Sequence, residues 1–244
     1  MRRSGQRFPG EISILVLVAF CVFLSCEKEE DSITVKREEI KVIEGKTTVK
    51  TQEWEIPNPD IWYTATPGSW KIEDGVMSGG GNGDIWTVKR YGNFVLKCEF
   101  KISPKGNSGI FFRTGDMKDP VQTGIEMQVI DTAGYFGEPV PEEYTKNVCG
   151  AMYDLLEPSV NVEKPVGEWN HVTITCKDNG IEVVMNGVKI IEMDIDTWVT
   201  PHKNPDGTDN KFDRALKDFP REGHIGFQDH GDPVWYRNVK IRER

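Results

Sequence analysis

The run Ile181-Glu182-Val183-Val184-Met185-Asn186-Gly187-Val188-Lys189-Ile190-Ile191-Glu192-Met193 decides the fold. Two apolar stretches flank Asn186-Gly187, the residue pair that most readily supplies the two positive-φ positions of a tight hairpin turn. The spacing predicts two antiparallel strands. Upstream, Phe94 to Ile102 sets Phe94, Leu96, Cys98 and Phe100 against Lys97, Glu99 and Lys101, the period-two pattern of a half-buried strand. Trp70 to Glu73 turns at Asp74-Gly75 into Val76-Met77, a second hairpin. Ser108 to Arg113, Gly124 to Ile130, His171 to Cys176, His224 to Gln228 and Pro233 to Ile241 read as further strands. Helical periodicity is nearly absent, with room for one short turn between Phe212 and Phe219. Many antiparallel strands joined by Gly- and Asn-rich turns predict an all-β, two-sheet antiparallel sandwich of the jelly-roll kind, with one sheet face free for a ligand.

The first residues read as an address. Arg2, Arg3 and Arg7 form a basic start, Ile12 to Phe23 an apolar stretch, and Ser25-Cys26 a small-residue cleavage point. Cys26 resembles the lipidated cysteine of bacterial lipoproteins. The expected organisation is a signal peptide at 1–25, a charged tether at 26–53 and one domain at 54–244. The expected location is the bacterial cell envelope, lipid-anchored to a membrane without crossing it. The formal net charge of −9 disfavours nucleic acid as a partner, and no basic stripe is visible along the chain. Cys98 and Cys176 alternate with apolar neighbours and should point into a core. The cysteine spacing fits neither a disulfide framework nor a structural zinc site, and a Cys98–Cys176 bridge is open only if their strands pair.

Chemistry concentrates in Gly124-Ile125-Glu126-Met127-Gln128-Val129-Ile130-Asp131. On a strand Glu126 and Gln128 share a face, about 6–7 Å apart. Asp131 joins them only if one residue bulges out; otherwise it is a strand-end turn residue. Asn107 opens and Arg113 ends the run Asn107-Ser108-Gly109-Ile110-Phe111-Phe112-Arg113, and alternation puts Arg113 on the polar face. Gly223 to Gly231 holds His224, Gln228 and His230, and histidine is the side chain suited to proton transfer near neutrality. Trp86, Tyr135, Tyr153 and Trp235 are aromatic surfaces on which a pyranose can stack. Gly79 to Gly83 lacks the spacing of a phosphate loop. Asp206, Asp209, Asn210 and Asp213 form an oxygen-rich loop that misses the calcium-loop register and reads as solvated.

Six segments in order, Asn107-Ser108-Gly109-Ile110 with Arg113, Gly124 to Gln128 with Asp131, Gly150 to Tyr153, Pro165 to Asn170, Asn186-Gly187, and Gly223 to Gly231 with Arg237-Asn238, resemble the 3-keto-disaccharide hydrolase family. The resemblance covers about Trp62 to Arg244 and implies a concanavalin A-like lectin/glucanase fold. It also implies action on glycosides already oxidised to a ketone at C3 of the sugar. Such a ketone acidifies the C2 hydrogen; a base removes it, the enolate expels the group at C1, and water adds to the resulting 2-hydroxy-glucal. The route needs a base, a stabiliser for the enolate oxygen and an acid. The roles that follow are Glu126 or His230 as base, Arg113 or a bound divalent metal at the enolate, and Asn107, Gln128, Tyr153 and Gln228 on hydroxyls, with Asp131 a third site carboxylate or a turn residue. No other cofactor is implied.

Two other classes compete. A retaining β-glucanase on the same fold carries E-x-D-x-x-E on a bulged strand, and Glu126 to Asp131 has that layout with Gln and Asp substituted; retention requires carboxylates about 5–5.5 Å apart. A surface sugar-binding protein with no turnover has the same fold, because fold does not fix function.

Overall fold

A computed structural model describes residues 61–244 other than 65 and 82, together with Trp54 and the backbone of 38–43 and 46–51. The leader, Cys26 and most of the 26–53 segment lie outside the described residues. Strands β1 (Glu38–Ile43) and β2 (Lys46–Thr51) pair with each other as an antiparallel hairpin.

The remaining strands form two antiparallel sheets. The larger one contains β4 (Lys71–Glu73), β5 (Val76–Gly79), β7 (Phe94–Ile102), β10 (Asn170–Lys177), β11 (Gly180–Met185), β12 (Val188–Asp194) and β14 (Val234–Glu243), in the order β12-β11-β10-β7-β14-β5-β4. The smaller contains β3 (Trp62–Thr64), β6 (Ile85–Thr87), β8 (Asn107–Thr114), β9 (Ile125–Ile130) and β13 (His224–Phe227), in the order β3-β6-β13-β8-β9. This is the two-sheet jelly-roll sandwich that the alternation predicts. Asn186 and Gly187 take φ of 50° and 84°, so the β11–β12 turn has both central residues in the left-handed region, and Asp74-Gly75 does the same between β4 and β5. Among the described residues helix is confined to α1 (Pro120–Thr123), α2 (Thr132–Phe136) and short 3-10 turns, one at Leu216–Asp218.

The core fills the space between the sheets. Phe94, Leu96, Cys98 and Phe100 of β7 and Val172, Ile174 and Cys176 of β10 meet Ile110 and Phe112 of β8, Met127 and Val129 of β9, and Phe227 of β13. Strands β7 and β10 do pair, but Cys98 stands opposite Val172 and Cys176 opposite Phe94, and Cys98, Cys149 and Cys176 are all free and buried. A polar link crosses the sandwich. Ser108 Oγ lies 2.8 Å from the Tyr236 hydroxyl and donates at 2.7 Å to the carbonyl of Gln228, so a buried phenol is satisfied and the end of β13 is fixed. On the outer face of the larger sheet, folding gathers Lys97 and Arg242 on the Trp54 ring and Lys101 and Arg237 on Trp169. Arg237 also holds Glu99. These cations are engaged internally.

Candidate active site

The outer face of the smaller sheet is where polar side chains collect. Direct cross-strand partners share a face. The register therefore sets Trp86, Gly226, Phe111 and Glu126 in one row across β6, β13, β8 and β9. The next row runs through Gly109 and Gln128. Gln228 joins it by donating its N–H to the Gly109 carbonyl at 2.9 Å. Continuing the β6–β13 register past Ile85 opposite Phe227 brings Asp84 beside Gln228. Beyond β9, residues 150–153 extend the sheet edge. Gly150 donates to the Gln128 carbonyl, Gln128 to Ala151 and Tyr153 to Glu126, which puts the Tyr153 side chain next to Glu126.

Glu126 is the centre of this face. It is 6% exposed and stands clear of the apolar core. Its carboxylate lies 4.0 Å from Lys211 Nζ, which also sits 3.9 Å above the Tyr153 ring. Burial pushes the Glu126 carboxyl up to about 7; the Lys211 charge pulls it down and the Asp84 charge adds to the rise. Burial likewise pulls the Lys211 ammonium below its ordinary value, against the attraction of Glu126 and Asp154. Burial raises the Tyr153 phenol, and so do the charges of Glu126 and Asp154, while a hydrogen bond with Asn147 opposes them. Gln128 donates from Nε2 to Asn107 Oδ1 at 3.2 Å, joining two amides beside Glu126. The Oε1 of Gln228 is buried without a donor.

Asp84 closes the other side. Burial raises its carboxyl, the Asp229 N–H opposes that, the Asp229 charge adds to it and His230 subtracts. Asp84 thus lies between the two: its charge acts on Glu126, and His230 acts on it. His230 is exposed, and the charges that act on Glu126 are those of Lys211 and Asp84. Asp229 is a turn residue, its carboxylate accepting from the N–H groups of Gly80, Gly81 and Gly231, which also accounts for the Gly-rich run.

Two expected members are elsewhere. Arg113 is 1% exposed, takes φ of 53° and coincides with a register shift between β8 and β13. That irregularity reverses the alternation. Its guanidinium donates to the Gly92 carbonyl and feels Cys176, Arg221 and Asp178, none of which neighbours Glu126. Asp131 follows a regular β8–β9 register with no bulge, so it is not turned back toward Glu126. It caps α2 instead, accepting from Gly134 N–H at 3.0 Å and Lys105 N–H at 2.8 Å. The Glu126-to-Asp131 layout of a glucanase is therefore not assembled. Of the four aromatics, Tyr153 stands beside Glu126, and Trp86 shares the Glu126 row but is covered. Trp86 is 2% exposed, Trp235 lies on the larger sheet beneath Lys101, and Tyr135 stands 48% exposed on α2.

Lys211 and Asp84 were not found from sequence. Lys211 is the one cation in the 206–213 loop, where Asp206 pairs with Lys146 and Asp209 with Lys203, so the oxygens do not converge. Asp84 precedes Ile85-Trp86-Thr87 and shares the alternation of Trp86, a signal that was available. Among the described residues no three His, Cys, Asp or Glu side chains come together to hold an ion.

Comparisons with known proteins agree with this fold. Residues 38–242 match the family of the 3-keto-alpha-glucoside-1,2-lyase-like domain, a match that opens ahead of Trp54. A 3-keto-disaccharide hydrolase of Bacteroides thetaiotaomicron is 28% identical over 72% of this chain and 70% of that protein. Two solved Parabacteroides distasonis proteins assigned to the glycosyl hydrolases are also similar. One is 34% identical with a TM-score of 0.73 over 79% of this chain and all of that one; the other is 30% identical with a TM-score of 0.60 over 76% and 89%. The chain belongs to the 3-keto-alpha-glucoside-1,2-lyase-like family.

Proposed function

We propose that this protein cleaves 3-keto-glycosides by elimination followed by hydration. The observation that carries the reading is the pairing of Glu126, a carboxyl pushed up to about 7, with Lys211 Nζ at 4.0 Å on a sheet face outside the core. A base for a carbon acid works best when its pKa lies near the operating pH. Glu126 takes the C2 proton and Lys211 steadies the charge that moves onto the C3 oxygen, the role that Arg113 is not placed to fill. The C1–O bond then breaks, and the departing oxygen takes a proton at the open rim, where His230 is exposed. In the second half water adds as hydroxide at C1 of the 2-hydroxy-glucal and gives its other proton back to solvent. Glu126, its proton exchanged with solvent at the open rim, protonates C2. The sum is hydrolysis. Gln128, Asn107, Gln228 and Tyr153 hold hydroxyls around the ring.

The envelope location and the lipid on Cys26 are part of the same proposal and rest on the sequence of the first 31 residues.

Incubation of the protein with a 3-keto-disaccharide and with the same disaccharide unoxidised tests the reaction class. Mass spectrometry should show the 2-hydroxy-glucal and the 3-keto-hexose from the first substrate only. Cleavage of the unoxidised sugar at a comparable rate would return the reading to an ordinary glycosidase.

A further inference from the structure

The row Asp84–Gln228–Gly109 forms a floor with a carboxylate at each end. At one end the Glu126 side chain lies over Gly109, so closely that a Cβ there would stand 2.1 Å from Oε1. At the other end Asp84 accepts the Asp229 N–H on Oδ1 at 2.9 Å. Among the described residues its Oδ2 accepts no hydrogen bond, although the residue is half-buried. Strands lie about 4.8 Å apart, so the two steps from Gly109 to Asp84 span about 10 Å. The floor between them carries one side chain, the Gln228 amide. A carboxylate oxygen with no donor among the described residues, across a nearly bare floor from the base, is open to a sugar hydroxyl.

The orientation follows from the ring. This step rests on the proposed function, in which Glu126 meets C2 and Lys211 meets the C3 oxygen. In a pyranose the atom across the ring from C2 is C5, which carries the hydroxymethyl group. Protonation of a leaving group at C1, adjacent to C2, would need the second carboxylate closer than two strand spacings; a contact at the far edge of the ring fits the span. We infer that Asp84 is a specificity-determining residue that accepts a hydrogen bond from the 6-hydroxyl of the ketosugar, which restricts the site to hexopyranosides with that hydroxyl free. His230, beside Asp84 on the rim, borders the same corner.

The test compares kcat/KM for a 3-keto-glucoside and its 6-deoxy analogue in the wild type, Asp84→Ala and Asp84→Asn. A hydrogen bond to a charged acceptor accounts for a preference of roughly tenfold to a hundredfold. The wild type should prefer the 6-hydroxy substrate by that factor, and Asp84→Ala should collapse the ratio to within about threefold. Asp84→Asn retains an oxygen for the Asp229 N–H and should also lose most of the preference, which covers the case in which the alanine variant does not fold. An active wild type that is indifferent to the 6-hydroxyl, or variants that keep the preference, would overturn the inference. A wild type inactive on both ketosugars would instead overturn the proposed reaction.

Discussion

Gly109 makes room for Glu126. The two residues lie on neighbouring strands, and the Glu126 side chain folds across the bare Cα, with Cγ and Cδ both 2.9 Å from where a Cβ would be. The seat of the proposed base is therefore set by what position 109 lacks.

Gly109→Ala is expected to leave the fold intact and displace the carboxylate, because the clashing atoms belong to the end of a movable side chain. A misplacement of about 1 Å can cost about a hundredfold in rate. The expected result is a kcat lower by about that factor with a melting temperature within a few degrees of wild type. Unchanged kcat would show that the Glu126 position does not matter.

Replacing Lys211 removes both the charge near the developing oxyanion and the cation that lowers the Glu126 carboxyl. Lys211→Met should reduce kcat/KM by about 10²–10³-fold. It should also move the acidic limb of the pH–rate profile above about 7. A loss of rate with no shift of that limb would separate Lys211 from Glu126.

The raised carboxyl makes a stability prediction of definite sign. Folded Glu126 holds its proton up to about 7, whereas the unfolded chain releases it near the ordinary value of 4.5. Between those values the native state binds more protons, so stability falls as pH rises. The contribution is fully present below about 4.5 and is lost by about 7, amounting to about 3 kcal/mol. Glu126→Gln removes this penalty, so its melting temperature relative to wild type should be higher at pH 8 than at pH 4. Glu163, also pushed up to about 7 by burial, adds a slope in the same window that both proteins share. A difference between them that does not change with pH would contradict the assignment.

Asp131 is expected to behave as a helix cap. Asp131→Ala removes the acceptor of two backbone N–H groups and should cost about 1–2 kcal/mol of stability. Its kcat should stay within about threefold of wild type. A large loss of kcat without loss of stability would return Asp131 to the site.

Most of the sandwich was legible because strand alternation is local. Phe94 to Ile102 and the Asn186-Gly187 turn need only their own neighbours to announce themselves, and both took the predicted form. Glu126 and Gln128 shared a face for the same reason. Arg113 was misplaced because the rule fails at a left-handed residue beside a register shift, which the side-chain pattern does not reveal. Asp131 was ambiguous because a cap and a bulged strand residue read alike until the register is known. Lys211 arrives from a loop that returns over the sheet edge after about 80 residues of chain. No periodicity connects it to Glu126.

Proton transfer at C2 is the claim on which the rest depends. In deuterated water, a 3-keto-glucoside incubated with wild-type protein should give 3-keto-hexose carrying deuterium at C2, and Glu126→Gln should slow its formation at least a hundredfold. Cleavage that leaves the original C2 hydrogen in the product, or a Glu126→Gln variant as fast as wild type, would contradict the account.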